Sequence, residues 1–164
     1  MSLFADYEPR RGPAVPVDGL LVRPATDADG PALVGVHVLF VDDNPDTRQI
    51  VASHLQRQGA HVHMAPSERE ALHFLEIARP HVIVCDIAMP GMSGMEFIRR
   101  ARALPTQAER PTPAIAYAAF PDLRDATLAA GFQDHVVKEV GLRALTEAVA
   151  RLAAMAQLLP RARR

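Results

Sequence analysis

The chain has 164 residues and a formal net charge of −1 at pH 7, long enough for one domain with a real core and some excess. A near-neutral balance gives no electrostatic footprint for nucleic acid or a membrane surface. The single cysteine excludes an internal disulfide and fits a reducing, cytoplasmic setting, the longest apolar stretch (34–41) is too short to cross a bilayer, and residues 1–16 lack the basic-then-apolar pattern of a signal peptide.

Residues 1–34 hold Pro9, Pro13, Pro16, Pro24 and Pro31 with Gly12, Gly19 and Gly30. Proline at this density blocks long helices and central strands. The segment is predicted to be an N-terminal extension or interdomain linker, or else an arm docked on the domain. Only 19–22 could form a short strand.

From Val36 the pattern alternates. A strand over 37–41 precedes a helix over 46–58 with Ile50, Val51, His54 and Leu55 on one face. A strand over 60–64 follows Gly59. The next helix opens with Ser67 and Glu70, spaced as a capping box. A strand over 81–85 ends at Asp86, and Met89-Pro90-Gly91-Met92 makes a turn. Ser93 and Glu96 form a second capping box. A strand over 114–118 leads to a helix over 122–130, stopped by Gly131. The last strand is 135–137, and the last helix carries Leu142, Leu145, Val149 and Leu152 on one stripe. Such alternation implies a parallel sheet covered on both faces. The predicted divisions are 1–34, a domain over 35–158, and a short basic tail over 159–164.

Asp42 and Asp43 follow the run Val38–Val41, Asp86 follows Val82–Cys85, and Lys138 closes His135–Val137. Each run reads as a buried strand delivering a charged side chain to the sheet edge. In such sheets ligands bind at the carboxyl ends of strands, near the switch in strand order. Lys138 is also the sole lysine beside 17 arginines. Its compact ammonium on a flexible stem suits contact with one phosphoryl oxygen better than a guanidinium fork does.

Taken together, Val-Leu-Phe-Val-Asp-Asp-Asn-Pro (38–45), Asp-Ile-Ala-Met-Pro-Gly-Met-Ser-Gly (86–94), Ala-Gly-Phe-Gln-Asp-His (130–135) and Val-Val-Lys (136–138) resemble the receiver domain of two-component response regulators. The likeness spans residues 36 to 157, and its texture is most similar to receivers attached to hybrid histidine kinases. It implies a flavodoxin-like α/β fold: a five-stranded parallel sheet in order 2-1-3-4-5 with helices on both faces. It also implies that Asp86 accepts a phosphoryl group from a histidine of a kinase or phosphotransfer protein. An upstream domain or a homodimer is compatible with this reading. Nucleic acid and membrane are not expected partners, nor is an enzymatic activity beyond the chain's own phosphorylation and dephosphorylation.

The chemistry agrees. Clustered carboxylates repel and resist ionisation, and a hard divalent ion removes the conflict; Mg²⁺ suits a site of few carboxylates, waters and a phosphate. Asp43 and Asp86 are expected as ligands, with Asp42 directly or through water, and the backbone carbonyl of Ala88. Asp86 would be the nucleophile, and Lys138 would contact the phosphoryl oxygens. Alone, Asp42 and Asp43 read equally well as N-caps of the first helix, and Asp86 as a turn acid.

Three positions depart from the family pattern. The usual Thr or Ser at the end of the fourth strand is Ala118, or Ala116 in an ungapped register. The aromatic switch position is His135. The proline after the lysine is Glu139, so a trans bond is expected there. A receiver-like interaction module working without phosphorylation is the alternative these changes favour. A haloacid-dehalogenase-type phosphatase fails, since neither Asp42 nor Asp43 starts an Asp-x-Asp. His61 and His63, Met89, Met92 and Met95, and Cys85 read as structural.

Overall fold

The computed structural model describes residues 16–17, 20–21, 32–91 and 93–158. Five strands form one sheet: β1 (His37–Val41), β2 (His61–Ala65), β3 (Val82–Asp86), β4 (Ala114–Ala118) and β5 (Asp134–Val137). Every neighbouring pair is parallel, in the order β2-β1-β3-β4-β5. This is the predicted order 2-1-3-4-5 of a flavodoxin-like sheet. The helices are α1 (Pro45–Arg57), α2 (Glu68–Ile77), α3 (Gly94–Ala103), α4 (Arg124–Ala130) and α5 (Leu142–Leu158), with a single turn at Pro105–Ala108.

The central strands are apolar on both sides because both sides are covered. Val38 and Phe40 pack with Val51 and Leu55 of α1 and Leu145 and Val149 of α5. Leu39 and Val41 pack with Ala71 and Leu75 of α2 and Phe97 and Ile98 of α3. Ala32 and Leu33 are also buried, and Leu33 N–H donates to the Gln58 carbonyl at 2.7 Å, so packing begins upstream of position 35. Gly59 permits this join: its φ is +94°, and a Cβ there would lie 3.0 Å from the Val34 backbone.

Ser67 caps α2 and Ser93 caps α3, each hydroxyl accepting from the N–H three residues on. The acidic pair does not cap α1. Asn44 does, accepting from Asp46 and Thr47 N–H. The apolar face of α1 is centred on Val51, Ala52 and Leu55, which turns Ile50 roughly 150° away at 100° per residue and leaves it 60% exposed. The helix predicted over 122–130 is split into a 3₁₀ turn, Pro121–Leu123, and α4. Of the strand predicted over 19–22, Leu20–Leu21 pairs antiparallel with Pro16–Val17; Gly19, Val22, Met92 and the basic tail lie outside the described residues. His61 stacks on His37 with 4.8 Å between ring centroids, and His63 on Phe74 at 4.0 Å; both histidines serve as packing surface. Cys85 is fully buried, and burial, then the charges of Asp86, Asp42 and Glu68, push its thiol well up, which makes it inert.

The strand ends opposite the acids are held by Arg102. Its guanidinium donates to the carbonyls of Thr112 (2.7 Å) and Gly131 (3.1 Å) and to the side-chain oxygens of Gln107 (3.2 Å) and Gln133 (3.0 Å). Gln133 in turn accepts from Ala114 N–H at 2.7 Å. One planar fork thus ties the end of α3, the start of β4 and the α4–β5 turn. No carboxylate partners it among these contacts, and burial lowers its pKa to about 10, still charged at neutral pH. Arg102→Met should lower unfolding free energy by roughly 2–4 kcal/mol, because the buried acceptors lose their donor. Arg102→Lys should recover only part of that, as a point charge cannot span both sides; urea denaturation of the three proteins measures it.

Candidate functional site

The connection from β1 runs outward to β2 and then returns across β1 to β3, so the strand order reverses between β1 and β3. A crevice opens there at the carboxyl ends of the strands. Asp42 and Asp43 follow β1, and Asp86 is the last residue of β3. One carboxylate oxygen from each lies within 4.8 Å of the others. Asp42 and Asp86 are buried and Asp43 is exposed. No other group of three or more metal-ligating side chains occurs among the described residues.

Lys138 reaches the same point from the end of β5. Its Nζ is 3.3 Å from Asp86 Oδ1 and 3.8 Å from Asp42 Oδ2. Asp42 Oδ1 accepts from Asn44 N–H at 2.9 Å, and Asp86 Oδ1 from Ala88 N–H at 3.2 Å. Both acids are therefore turn acids as well as cluster members. Asp42 Oδ2 is buried without a hydrogen-bond partner. Burial raises the Asp42 pKa above the usual carboxylate range; the Asn44 N–H opposes this, Asp86 adds to it and Lys138 pulls the other way. Three carboxylates against one ammonium leave an excess of two negative charges, the charge of one divalent cation. All donors are hard oxygens, and a buried carboxylate oxygen lacks a hydrogen bond. The residues present fit such an ion.

The loop after β3 leaves no slack beside Asp86. Gly94 N–H donates to the Ile87 carbonyl at 3.0 Å. A Cβ at Gly94 would fall 2.4 Å from the Asp86 carbonyl oxygen, so only glycine allows α3 to start this close to the strand end. Met89 and Met95 pack against the α2–α3 face, as expected of structural methionines.

The positions where the pattern departs are now placed. Ala116 and Ala118 are buried on the α2–α3 face, so neither register supplies a hydroxyl. His135 is buried; its Nε2–H donates to the Phe120 carbonyl at 3.0 Å and its Nδ1 pairs with the Thr127 hydroxyl at 3.0 Å. It clamps the β4–α4 connection and α4 onto β5. No peptide bond among the described residues is cis. Lys138, Glu139 and Val140 form a 3₁₀ turn closed by Gly141.

Alternation along β4 turns Tyr117 to the face opposite Ala116 and Ala118, as the sequence predicts, but its contact with Lys138 was not foreseen. That face is the side of Asp42, Asp86 and Lys138. The signal was the parity shared by Phe40 and Asp42 in β1 and by Val84 and Asp86 in β3, extended across the sheet to β4.

A model of the response regulator receiver domain matches residues 38–150. An uncharacterized 14.6 kDa protein of Leptolyngbya boryana is 42% identical over 108 residues, 66% of this chain and 82% of that protein. The regulatory protein AtoC of Escherichia coli is 32% identical over 116 residues, 70% of this chain but 24% of its own length. The receiver domain of a sensor histidine kinase from Pseudomonas aeruginosa, solved with a magnesium ion coordinated in its active-site cleft, superposes with a TM-score of 0.66 at 26% identity, covering 74% of this chain and 99% of that one. Among the described residues no helix is long and apolar enough to cross a membrane. With the parallel sheet, the acidic crevice and the facing lysine in place, the match over 38–150 shows that the chain belongs to the receiver domain family of two-component response regulators.

Proposed function

We propose that the chain accepts a phosphoryl group on Asp86 from a phosphohistidine of a kinase or phosphotransfer protein, at a site using Mg²⁺. The observation that carries this reading is the convergence of Asp42, Asp43 and Asp86 within 4.8 Å, with Lys138 3.3 Å from Asp86. A carboxylate oxygen of Asp86 attacks phosphorus in line. A P–O bond forms as the P–N bond of the donor imidazole breaks, and the electron pair leaves on that nitrogen. Lys138, 3.3 Å from Asp86, would exchange that contact for a phosphoryl oxygen. Asp42, Asp43 and Asp86, with the Ala88 carbonyl, would hold Mg²⁺, whose chemistry is to neutralise phosphoryl charge. A module working without phosphorylation would have no use for three clustered carboxylates facing a lysine, so the phosphorylation reading is favoured.

Output coupling is weaker on this reading. Switching needs an element that contacts the new charge in one state more than in the other. Neither Ala118 nor Ala116 offers a hydroxyl, and His135 is already bonded on both ring nitrogens. The loop after Lys138 is a 3₁₀ turn without proline.

Incubation with Mg²⁺ and an acyl phosphate should add one phosphoryl mass by intact mass spectrometry, and Asp86→Asn should abolish it; equal labelling of that variant rejects the assignment. Asp42→Asn should unfold at higher urea than wild type in metal-free buffer, by on the order of 1–3 kcal/mol, since it relieves a buried charge that folding disfavours. The sign follows from the raised pKa: Asp42 ionises more readily unfolded, so its charge at neutral pH opposes folding. Mg²⁺ should stabilise wild type more than that variant, which keeps Asp43 and Asp86 as ligands. Ala118→Thr should enlarge the amide shifts around His135 and α5 that a beryllofluoride–Mg²⁺ mimic induces; an already large wild-type shift that the substitution leaves unchanged refutes the weak-coupling reading.

A further inference from the structure

Tyr117 stands in β4 directly across from Asp86 in the sheet register. The ring is 5% exposed and packs edge-on to Phe40 of β1, centroids 6.5 Å apart at 67°. Lys138 Nζ lies over that ring, 5.3 Å from its centroid. The ammonium therefore has three attractive neighbours: Asp86 Oδ1, Asp42 Oδ2 and the face of Tyr117.

These neighbours differ in permanence. The two carboxylates are the groups a cation would take up, and Asp86 is the group that phosphorylation would alter. The ring carries no charge to be neutralised, and its quadrupole still attracts a cation within about 6 Å of the centroid. An ordinary tyrosine phenol is neutral at pH 7, so the ring keeps its face for a cation. A lysine stem has several free rotations and its placement is costly in entropy. A buried aromatic ring fixed by Phe40 restricts that search without competing for the phosphoryl group.

We infer that Tyr117 is a positioning residue for phosphoryl transfer, its ring acting as a shelf that keeps the Lys138 ammonium facing Asp86 when the carboxylates are otherwise engaged. The inference rests on the reading of Asp86 as phosphoryl acceptor. It concerns the ring and not the hydroxyl, so Phe and Leu at this position give opposite outcomes.

Lys138 is the only lysine in the chain, so ¹³C-lysine labelling yields a single ε-methylene ¹H–¹³C signal, and an upfield proton shift from the ring current is expected with Nζ over the ring. That signal should be retained in Tyr117→Phe and move towards the free-lysine position in Tyr117→Leu. With an acyl phosphate and Mg²⁺, Tyr117→Leu should label about three- to tenfold more slowly, the range of a partly desolvated cation–π contact. Tyr117→Phe should stay within about twofold of wild type, since the ring face is kept. In a Lys138→Met background, Tyr117→Leu should cause no further slowing, whereas a merely structural role would slow both backgrounds alike. An unmoved lysine signal in Tyr117→Leu, a Phe variant as slow as Leu, or equal slowing without the lysine each overturns the inference. If wild type takes no label, the acceptor reading fails, and the lysine signal, recorded without phosphodonor, still decides whether the ring holds Lys138.

Discussion

Holding Asp42 and Asp86 side by side in a buried crevice is the electrostatic constraint around which the rest of the molecule is arranged. Two carboxylates out of water repel, and a third follows at Asp43. Their coexistence depends on one ammonium, 3.3 Å from Asp86 and 3.8 Å from Asp42, and on backbone N–H groups of Asn44 and Ala88. That compensation is incomplete: Asp42 Oδ2 is left without a hydrogen bond. The residual imbalance is what a bound divalent cation would relieve.

The surrounding fold supplies the geometry. Parallel pairing brings the ends of β1, β3 and β5 to one edge of the sheet. Gly94 lets α3 start against the Asp86 carbonyl. At the far end of the strands Arg102 ties three segments through neutral acceptors. The acidic edge is thus supported by a hydrogen-bonded base with no ionisable partner among the Arg102 contacts. On the output side the contrast is plain. His135 bridges Phe120 and Thr127 from inside the domain, next to a strand whose end carries only the methyl of Ala118. The acidic half of the site carries three carboxylates and a lysine, and the half towards α4 and α5 has fewer polar handles.

Much of this was legible in the sequence because short apolar runs ending in charge have few physical interpretations. Strand identity, the parallel class and the candidate residues Asp42, Asp43, Asp86 and Lys138 follow from runs, spacing and residue type alone. The serines at 67 and 93 were readable as caps because capping is local. Where the determinant was an angle around a helix axis or a partner distant in sequence, the chain alone was insufficient. Ile50 looked like a core residue and is 60% exposed, because the packing of α1 against α5 selects the stripe through Val51, Ala52 and Leu55.

The sequence by itself thus determined which side chains could form an acidic cluster facing a lysine and on which strands they lie, since period-two alternation and hydrophobic burial act locally. Only the tertiary structure decided which carboxylate oxygen is orphaned, that Asn44 and not the acids caps α1, and that the face of β4 opposite Ala118 delivers Tyr117 beneath Lys138. Those outcomes depend on contacts between strands tens of residues apart. They arise from sheet register and the balance of desolvation against pairing, which no local pattern encodes.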